Sequence, residues 1–138
     1  MNIDSGASVR LVAFAEPAAS QTSGPNLLQV YVINQSPETL SILNDLDSIN
    51  VPQRPLRTGE TVYDAEPKHI DFGTSGSAAF VPVAPDEAVK VTLMLRADQL
   101  ALLAHVKQME AAVKFRRDAD PSSEVQSALL PATVHVTR

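Results

Sequence analysis

Apolar and polar side chains alternate residue by residue in several stretches of this sequence. In residues 27–34, LLQVYVIN, every second residue from Leu28 to Val32 is aliphatic, and Glu87–Arg96 repeats the pattern from Val89 to Leu95. A period of two is typical of a β-strand with one buried face, whereas an amphipathic helix repeats every 3.6 residues. The two segments therefore predict central strands of a β-sheet.

The same alternation predicts further strands, most of them bounded by Pro, Gly or Asn. Because Pro82 has no N–H to donate, the strand that contains it is expected at an edge or a bulge of the sheet. The turn residues of 34–37, Asn-Gln-Ser-Pro, predict a hairpin between strand 27–34 and the strand that follows. The remaining predicted strands are Ala7–Glu16, Glu38–Leu43, Glu60–Tyr63, Ile70–Phe72, Ala78–Val83, Val113–Arg116 and Ala132–Thr137.

One segment has helical rather than strand periodicity. Leu102, Val106 and Met109 recur at the spacing of one helix face, and Asp98 stands where a residue that caps a helix N-terminus belongs. The sequence therefore predicts a single helix at about residues 98–111.

Seven to nine short strands, one helix and no βαβ alternation predict a mainly β fold, a Greek-key β-sandwich. The length of 138 residues matches one domain, so residues 1–138 are expected to form a single β-sandwich domain.

Two segments, LLQVYVINQSPETLSIL and AAFVPVAPDEAVKVTLML, resemble the paired halves of immunoglobulin-like sandwich modules in bacterial exported and surface proteins. Each combines a long alternating strand with a Pro-containing turn. The resemblance covers about a quarter of the chain, and the two strand cysteines and the core Trp of antibody domains are absent. It implies a binding or scaffolding role and assigns no function to an individual residue.

Composition narrows the classes of function. The formal net charge of −5 gives the chain no electrostatic attraction to nucleic acid, and no apolar run approaches the roughly 20 residues of a membrane span. The absence of Cys excludes disulfides and thiol chemistry. The first ten residues, MNIDSGASVR, lack the features of a signal peptide. We therefore expect an exported protein if a signal precedes Met1 in the gene, and a cytoplasmic one otherwise.

The segment KHIDFGTSGS contains the residue types of a catalytic triad. His69 and Asp71 are two residues apart, however, and would point the same way along one strand, whereas a triad assembles from distant positions. Ser75 does not match the Gly-x-Ser-x-Gly elbow, because residue 77 is Ser. A surface loop is the favoured interpretation.

Metal sites are also disfavoured. His69, His105 and His135 are far apart, and none has a His or Glu at i+2 or i+4 to complete a standard ligand pair. The oxygen-rich run Asp118, Asp120, Ser122 and Glu124 departs from the calcium-loop pattern and contains Pro121. No catalytic, cofactor or metal site is predicted.

Two surface motifs have simpler explanations than a ligand site. The basic residues Lys107, Lys114, Arg116 and Arg117 are interrupted by Glu110, so they predict a solvated sheet face. The sequon Asn34-Gln35-Ser36 is followed by Pro37 and reads first as turn chemistry.

The sequence therefore predicts a non-catalytic protein-interaction or structural module of a bacterial surface, periplasmic or multi-protein assembly. A protein partner or a second copy would bind at Phe80 and Val81, on the edge strand that Pro82 marks. The alternative is a small-ligand-binding or hydrolytic protein whose site lies in the loops of residues 44–76, around His69 and Asp71 with Asp64 or Glu66.

Overall fold

A computed structural model describes residues 9–17, 26–72, 78–117 and 124–135. In these residues the chain forms a mainly β fold with one α-helix and a 3₁₀ turn at Val62–Ala65. The elements are β1 (Leu11–Pro17), β2 (Asn26–Asn34), β3 (Leu40–Leu43), β4 (Ser48–Val51), β5 (Lys68–Asp71), β6 (Phe80–Val83), β7 (Ala88–Leu95), α1 (Ala97–Val106), β8 (Gln108–Arg117) and β9 (Gln126–Val134).

The nine strands form one mixed sheet. Its main path runs β5-β4-β8-β9-β1-β2-β7, and β3 branches from β8 and carries β6. The β1–β9 pair is parallel and all other pairs are antiparallel. Because the ten-residue β8 holds β9 on one side and both β3 and β4 on the other, the sheet curls into a half-barrel.

The concave side of the half-barrel contains the core. Alternate residues of β2 and β7, including Leu28, Val30 and Leu93, are 0–8% exposed, as the sequence periodicity predicted. From α1, which lies against β2, Leu103 and Val106 join the same cluster. The helix thus packs on the apolar face of the sheet.

The predicted Greek-key sandwich is not confirmed, because the strands do not divide into two packed sheets. Both halves of the chain contribute to one ladder: β1 pairs with β2 on one side and with β9, from the end of the chain, on the other. A sandwich buries each sheet against the other. Here the curl of one sheet and the packing of α1 bury the apolar face.

The predicted hairpin between β2 and β3 is wrong. β2 pairs with β1 and β7, while β3 pairs with β6 and β8. The predicted turn does follow β2, but after Asn34 the chain leaves β2 and continues to β3, which lies beside β6 and β8. Its side-chain amide donates to the carbonyls of Glu38 and Val83, at 2.9 and 2.8 Å, and so joins the turn to β6.

The helix was predicted about five residues too long. It ends at Val106, and Lys107 has a φ of 60°, the left-handed conformation that stops helices. Residues 108–111, assigned to the helix from sequence, begin β8. Met109 then alternates with Gln108 and Glu110 and is buried at 1% exposure, so its spacing from Val106 was fortuitous.

Further predictions concerned short strands, the edges of the sheet and membrane-spanning helices. Residues 60–63 contribute to the 3₁₀ turn rather than to a strand, and β4 was not predicted at all. The strand with Pro82 does lie at an edge, since β6 pairs only with β3 among the described strands. The prediction that β7 is a central strand is wrong: among the described strands it pairs only with β2 and so lies at another edge. No helix in the described ranges is long and apolar enough to cross a membrane.

Candidate functional site

The outer face of β6 carries an aromatic side chain covered by a cation. The guanidinium carbon of Arg116, on β8, lies 4.7 Å from the centre of the Phe80 ring. This is within the range of a cation–π contact. β3 brings the two together, because Ser41 pairs with Arg116 on one side and with Pro82 on the other. Phe80 is half-buried as a result.

Phe80 and Val81 do not form one strip, because successive residues of a strand point to opposite faces. Val81 pairs with Ile42, a core residue, and faces the concave side of the sheet. Phe80 pairs with Leu43 and faces the outer side. The predicted partner-binding pair therefore reduces, on the outer surface, to Phe80 with Arg116 and Leu43, which we call the Phe80 patch.

Pro82 protects the open edge of β6. The N–H of Asn44 donates to the carbonyl of Ala79 at 3.0 Å, so Leu43 and Phe80 are a non-hydrogen-bonded pair, and by alternation so are Ser41 and Pro82. The nitrogen of Pro82 consequently points away from β3. An added strand would find no donor there.

The other basic residues of β8 are also engaged. Lys114 and Arg116 share the outer face of β8, as their alternation with Val113 and Phe115 predicted. Val113 and Phe115 are buried on the opposite face. The ammonium of Lys114 lies 2.8 Å from a carboxylate oxygen of Asp47, and Arg117 lies 3.4 Å from Glu38. Lys114 therefore lies on a solvated sheet face, as predicted. Arg117 alternates with Arg116 and points to the other side, and Lys107 is the C-cap residue of α1 rather than part of the sheet.

His69 belongs to a polar row that the sequence did not reveal. Its Nδ1 lies 2.9 Å from the side-chain oxygen of Asn50 on β4, and the Asn50 amide donates to Glu110 on β8 at 3.3 Å. The Tyr63 hydroxyl bonds to the same carboxylate, and this bond raises the pKa of Tyr63. Only the pairing of β5, β4 and β8 brings these residues together.

The row contains no triad. His69 and Asp71 are both exposed on one side of β5 with Ile70 buried between them, as the i, i+2 spacing predicted. Ser75 lies outside the described residues. The row contains an acid, an amide, a phenol and an imidazole on an open sheet face, and its geometry fastens the 3₁₀ turn to β8.

The long connection between β4 and β5 encloses a shallow cavity of about 440 Å³, lined by Gln53, Arg54, Asp64, Ala65 and Glu66. The polar side chains of this lining form hydrogen bonds within the loop itself. Arg54 makes two 2.8 Å contacts with the Glu60 carboxylate, and the Gln53 amide donates to the Glu66 carbonyl at 2.7 Å. His69 and Asp71 do not line this cavity.

Among the described titratable groups, Glu60 has the largest shift in pKa. Side-chain hydrogen bonds from Arg54, and then the backbone N–H of Arg57 at 2.7 Å, lower its pKa to about 2. The carboxylate of Asp64 caps the 3₁₀ turn by accepting the Thr61 N–H at 2.8 Å. Both acids therefore shape the loop.

A second, more apolar cavity of about 280 Å³ lies where this loop meets the sheet. Its walls include Leu56 and Val62 from the loop and Val12, Met109 and Pro131 from the strands. The Gln108 side chain at its border accepts the Leu56 N–H at 3.2 Å. The cavity marks incomplete packing of the loop on the outer sheet face and presents no converging polar groups.

The metal candidates do not converge in the described part of the chain. No three His, Asp or Glu side chains there form a possible metal site. His105 is exposed on α1, and His135 packs edge-on against Phe14 at 5.7 Å. Of the predicted oxygen-rich run only Glu124 lies within the described residues, and it is exposed.

The sequon has the structural role that its turn residues predicted. Asn34 is completely buried, its amide hydrogens are bound to two carbonyls, and its oxygen accepts the Ser36 N–H at 2.9 Å. The Ser36 hydroxyl in turn accepts the Arg10 N–H at 2.7 Å. A glycan cannot attach to this nitrogen without breaking the turn.

Comparison with known proteins adds little. The chain matches no protein-family model, and no curated protein matches it. Among solved structures it is similar to the X-ray structure of Northeast Structural Genomics Consortium target SoR45, at 12% sequence identity and a TM-score of 0.43. That likeness covers 91% of this chain and 84% of the other.

Proposed function

We propose that this protein is a non-catalytic protein-interaction or structural module and that the Phe80 patch is part of its contact surface. The observation that carries the proposal is the half-buried Phe80 ring held under the Arg116 guanidinium on the outer side of an edge strand. Aromatic and Arg side chains dominate the binding energy of protein interfaces.

The Phe80 patch is already assembled in the folded chain. Both side chains project from strands that flank β3, and the neighbouring ion pair of Lys114 with Asp47 borders them. Side chains that are already ordered lose less conformational entropy on binding. A partner of matching chemistry presents an aliphatic or aromatic group to the exposed part of Phe80, beside the Arg116 guanidinium.

The sequence resemblance supports the same class of role. Segments 27–43 and 78–95, which resemble immunoglobulin-like modules of bacterial exported proteins, include β6 and the strands on both sides of the turn that Asn34 organises. We place the module in a bacterial surface, periplasmic or other multi-protein assembly on this basis.

The test is Phe80→Glu. The introduced carboxylate lies beside Arg116, which neutralises it, so the folded domain should keep its thermal midpoint within a few degrees. Partner capture from cells that produce the protein should fall at least about tenfold, because an interface aromatic contributes 2 kcal/mol or more.

Leu129→Glu is the matched control, since Leu129 is 52% exposed on β9 and undergoes the same apolar-to-acid change. The proteins that matter are those that the wild type and the Leu129→Glu variant retain and Phe80→Glu loses. Equal capture by both variants would remove the Phe80 patch from the contact surface. A large fall in the midpoint of Phe80→Glu would make Phe80 a packing residue.

A further inference from the structure

Three strands of the described sheet have a neighbour on one side only. β5 and β6 are four residues long, and they carry features that discourage pairing: exposed Lys68, His69 and Asp71 in β5, and the outward nitrogen of Pro82 in β6. β7 has eight residues and no Pro, and it pairs only with β2 in the described part of the chain. A long edge without Pro is a template for another strand, and Lys90 is the only charged side chain within this one.

The backbone of β7 offers a regular row of hydrogen-bonding groups. The Asn34 N–H donates to the Glu87 carbonyl at 2.9 Å, which makes Ile33 and Ala88 a non-hydrogen-bonded pair. Bonded and non-bonded pairs alternate along an antiparallel ladder. The N–H and C=O groups of four β7 residues therefore point away from β2, namely Ala88, Lys90, Thr92 and Met94.

The side chains of this row are exposed, and one of them is strongly apolar. Met94 is 68% exposed, the highest value among the large hydrophobic residues of the described chain. It stands next to Leu27 of β2 on the outer face. The turn before β7 carries Asp86 and Glu87, and Arg96 directly follows the strand. The N-terminal end of the edge is therefore acidic, and the C-terminal end presents the Arg96 guanidinium, which Asp98 contacts through Nε and Nη2.

We propose that β7 pairs antiparallel with β7 of a second copy, with Val91 of both copies on the twofold axis. In this register Ala88 faces Met94 and Lys90 faces Thr92 of the other chain. All four outward residues then form bonded pairs, and Met94 is covered by Ala88. The acidic turn of one copy lies beside Arg96 of the other, which still has an uncommitted Nη1 after its contacts with Asp98.

The neighbouring registers are less favourable. A shift that puts Lys90 on the axis sets it directly opposite the same residue of the second copy, and facing like charges repel. A shift that puts Thr92 on the axis sets Ala88 opposite Arg96 and Lys90 opposite Met94, so the acidic turn no longer faces Arg96. Of these three registers, only the Val91-centred one sets the acidic turn of each copy beside Arg96 of the other, and this complementarity favours a second copy in that alignment.

This pairing does not depend on the Phe80 patch. β6 and β7 are separate edges, joined by the turn between them. The dimer therefore adds to the proposed interaction role and presents two copies of the patch to a partner. A variant of one edge should leave the other function intact.

The chain has no Cys, so introduced cysteines report directly on the register. In Ala88→Cys with Met94→Cys, the two thiols of one strand are about 20 Å apart and cannot join each other. Across the proposed axis they form bonded pairs with Cα atoms about 5.5 Å apart, within disulfide range. Oxidation should therefore give a dimer linked twice.

Ala88→Cys with Thr92→Cys is the matched control, because in the proposed register these positions are only diagonal neighbours. It should link much more slowly on non-reducing gels. Equal rates for the two pairs, or faster linking of the control, would overturn the register.

Thr92→Lys tests the association itself by placing a second lysine opposite Lys90. Sedimentation and light scattering should show a wild-type dimer whose dissociation constant rises at least about tenfold in the variant, because facing like charges cost more than 1.4 kcal/mol. Thr92→Val should remain dimeric, and both variants should keep the wild-type circular dichroism. A monomeric wild type, or a Thr92→Lys dimer of unchanged affinity, would refute the pairing. Loss of dimer in Thr92→Lys with normal partner capture leaves the proposed function standing.

Discussion

Removing the Asn34 side chain should destabilise the fold more than any other single change of a polar residue. Its amide makes three hydrogen bonds of 2.8–2.9 Å, to Glu38, Val83 and Ser36, and it is completely buried. The bond to Val83 connects the end of β2 with β6, at the point where the two arms of the curled sheet approach each other. The residue thus supports the curl as well as the local turn.

The size of the effect follows from these bonds. Each hydrogen bond contributes a net 0.5–1.5 kcal/mol, and a buried group left without its partner costs about 1–3 kcal/mol. Asn34→Ala removes three hydrogen bonds and leaves two carbonyls and one N–H without their partner. We expect a loss of about 3–5 kcal/mol, a large part of the roughly 5–15 kcal/mol that holds a domain together.

Urea unfolding followed by circular dichroism measures this loss. Gln35→Ala is the control, because Gln35 is exposed and the same turn keeps its backbone bond from Gln35 to Arg10. It should change the free energy of unfolding by less than about 0.5 kcal/mol. A loss below about 1 kcal/mol for Asn34→Ala would show that the Asn34 bonds do not support the curl.

Asn34→Asp should make the free energy of unfolding depend on pH, and the direction of that dependence can be worked out. It keeps the shape but replaces two donors with a carboxylate facing two carbonyls, and burial raises the pKa of that carboxyl above its unfolded value near 3.9. The variant is therefore closest to the wild type below pH 4. Its deficit should grow as the pH rises towards 7, and a deficit that is constant with pH would contradict the buried environment.

Three further predictions address the core, the helix and the loop. Leu28→Ala should cost about 2–5 kcal/mol in urea unfolding, because Leu28 is fully buried between β1 and β7. Val106→Asp should unfold or severely destabilise the domain by burying an unpaired carboxylate, whereas Lys107→Asp, on an exposed left-handed residue, should be tolerated. Arg54 lowers the pKa of Glu60 to about 2, so Glu60 stabilises the folded state above pH 4.5 and loses that effect as the pH falls through 2. Glu60→Gln should therefore be less stable than the wild type at pH 6, and the difference should shrink as the pH falls from 4.5 through 2.

The strands were predictable to the extent that their pattern was local. β2 and β7 alternate over eight or nine residues, and the structure confirms their buried faces. β4 is only four residues long and sits between turn-forming residues, so no period was visible. The end of α1 was missed because Met109 continues the spacing of both a helix and a strand, and only the backbone of Lys107 separates them.

Strand order and the polar row depended on long-range pairing. The turn at Asn34 looks the same in a sequence whether β3 returns beside β2 or crosses to β8. Asn50 and Glu110 are 60 residues apart and meet only because β4 pairs with β8. The link from His69 to Glu110 through Asn50 therefore left no local signal, whereas the exposure of His69 and Asp71 on one side followed from strand geometry alone.

The curled sheet explains why association should concentrate on β7. A closed barrel would have no edges, and a sandwich would distribute them over two sheets. This half-barrel ends in β5, β6 and β7, and the first two are short and protected by charge or by Pro82. The same sequence alternation that predicted β7 as a strand also places Met94 and Thr92 in the outward row. If that row binds a second copy, replacing Thr92 will separate the molecules without unfolding them, whereas replacing Asn34 will unfold them without first changing the edge.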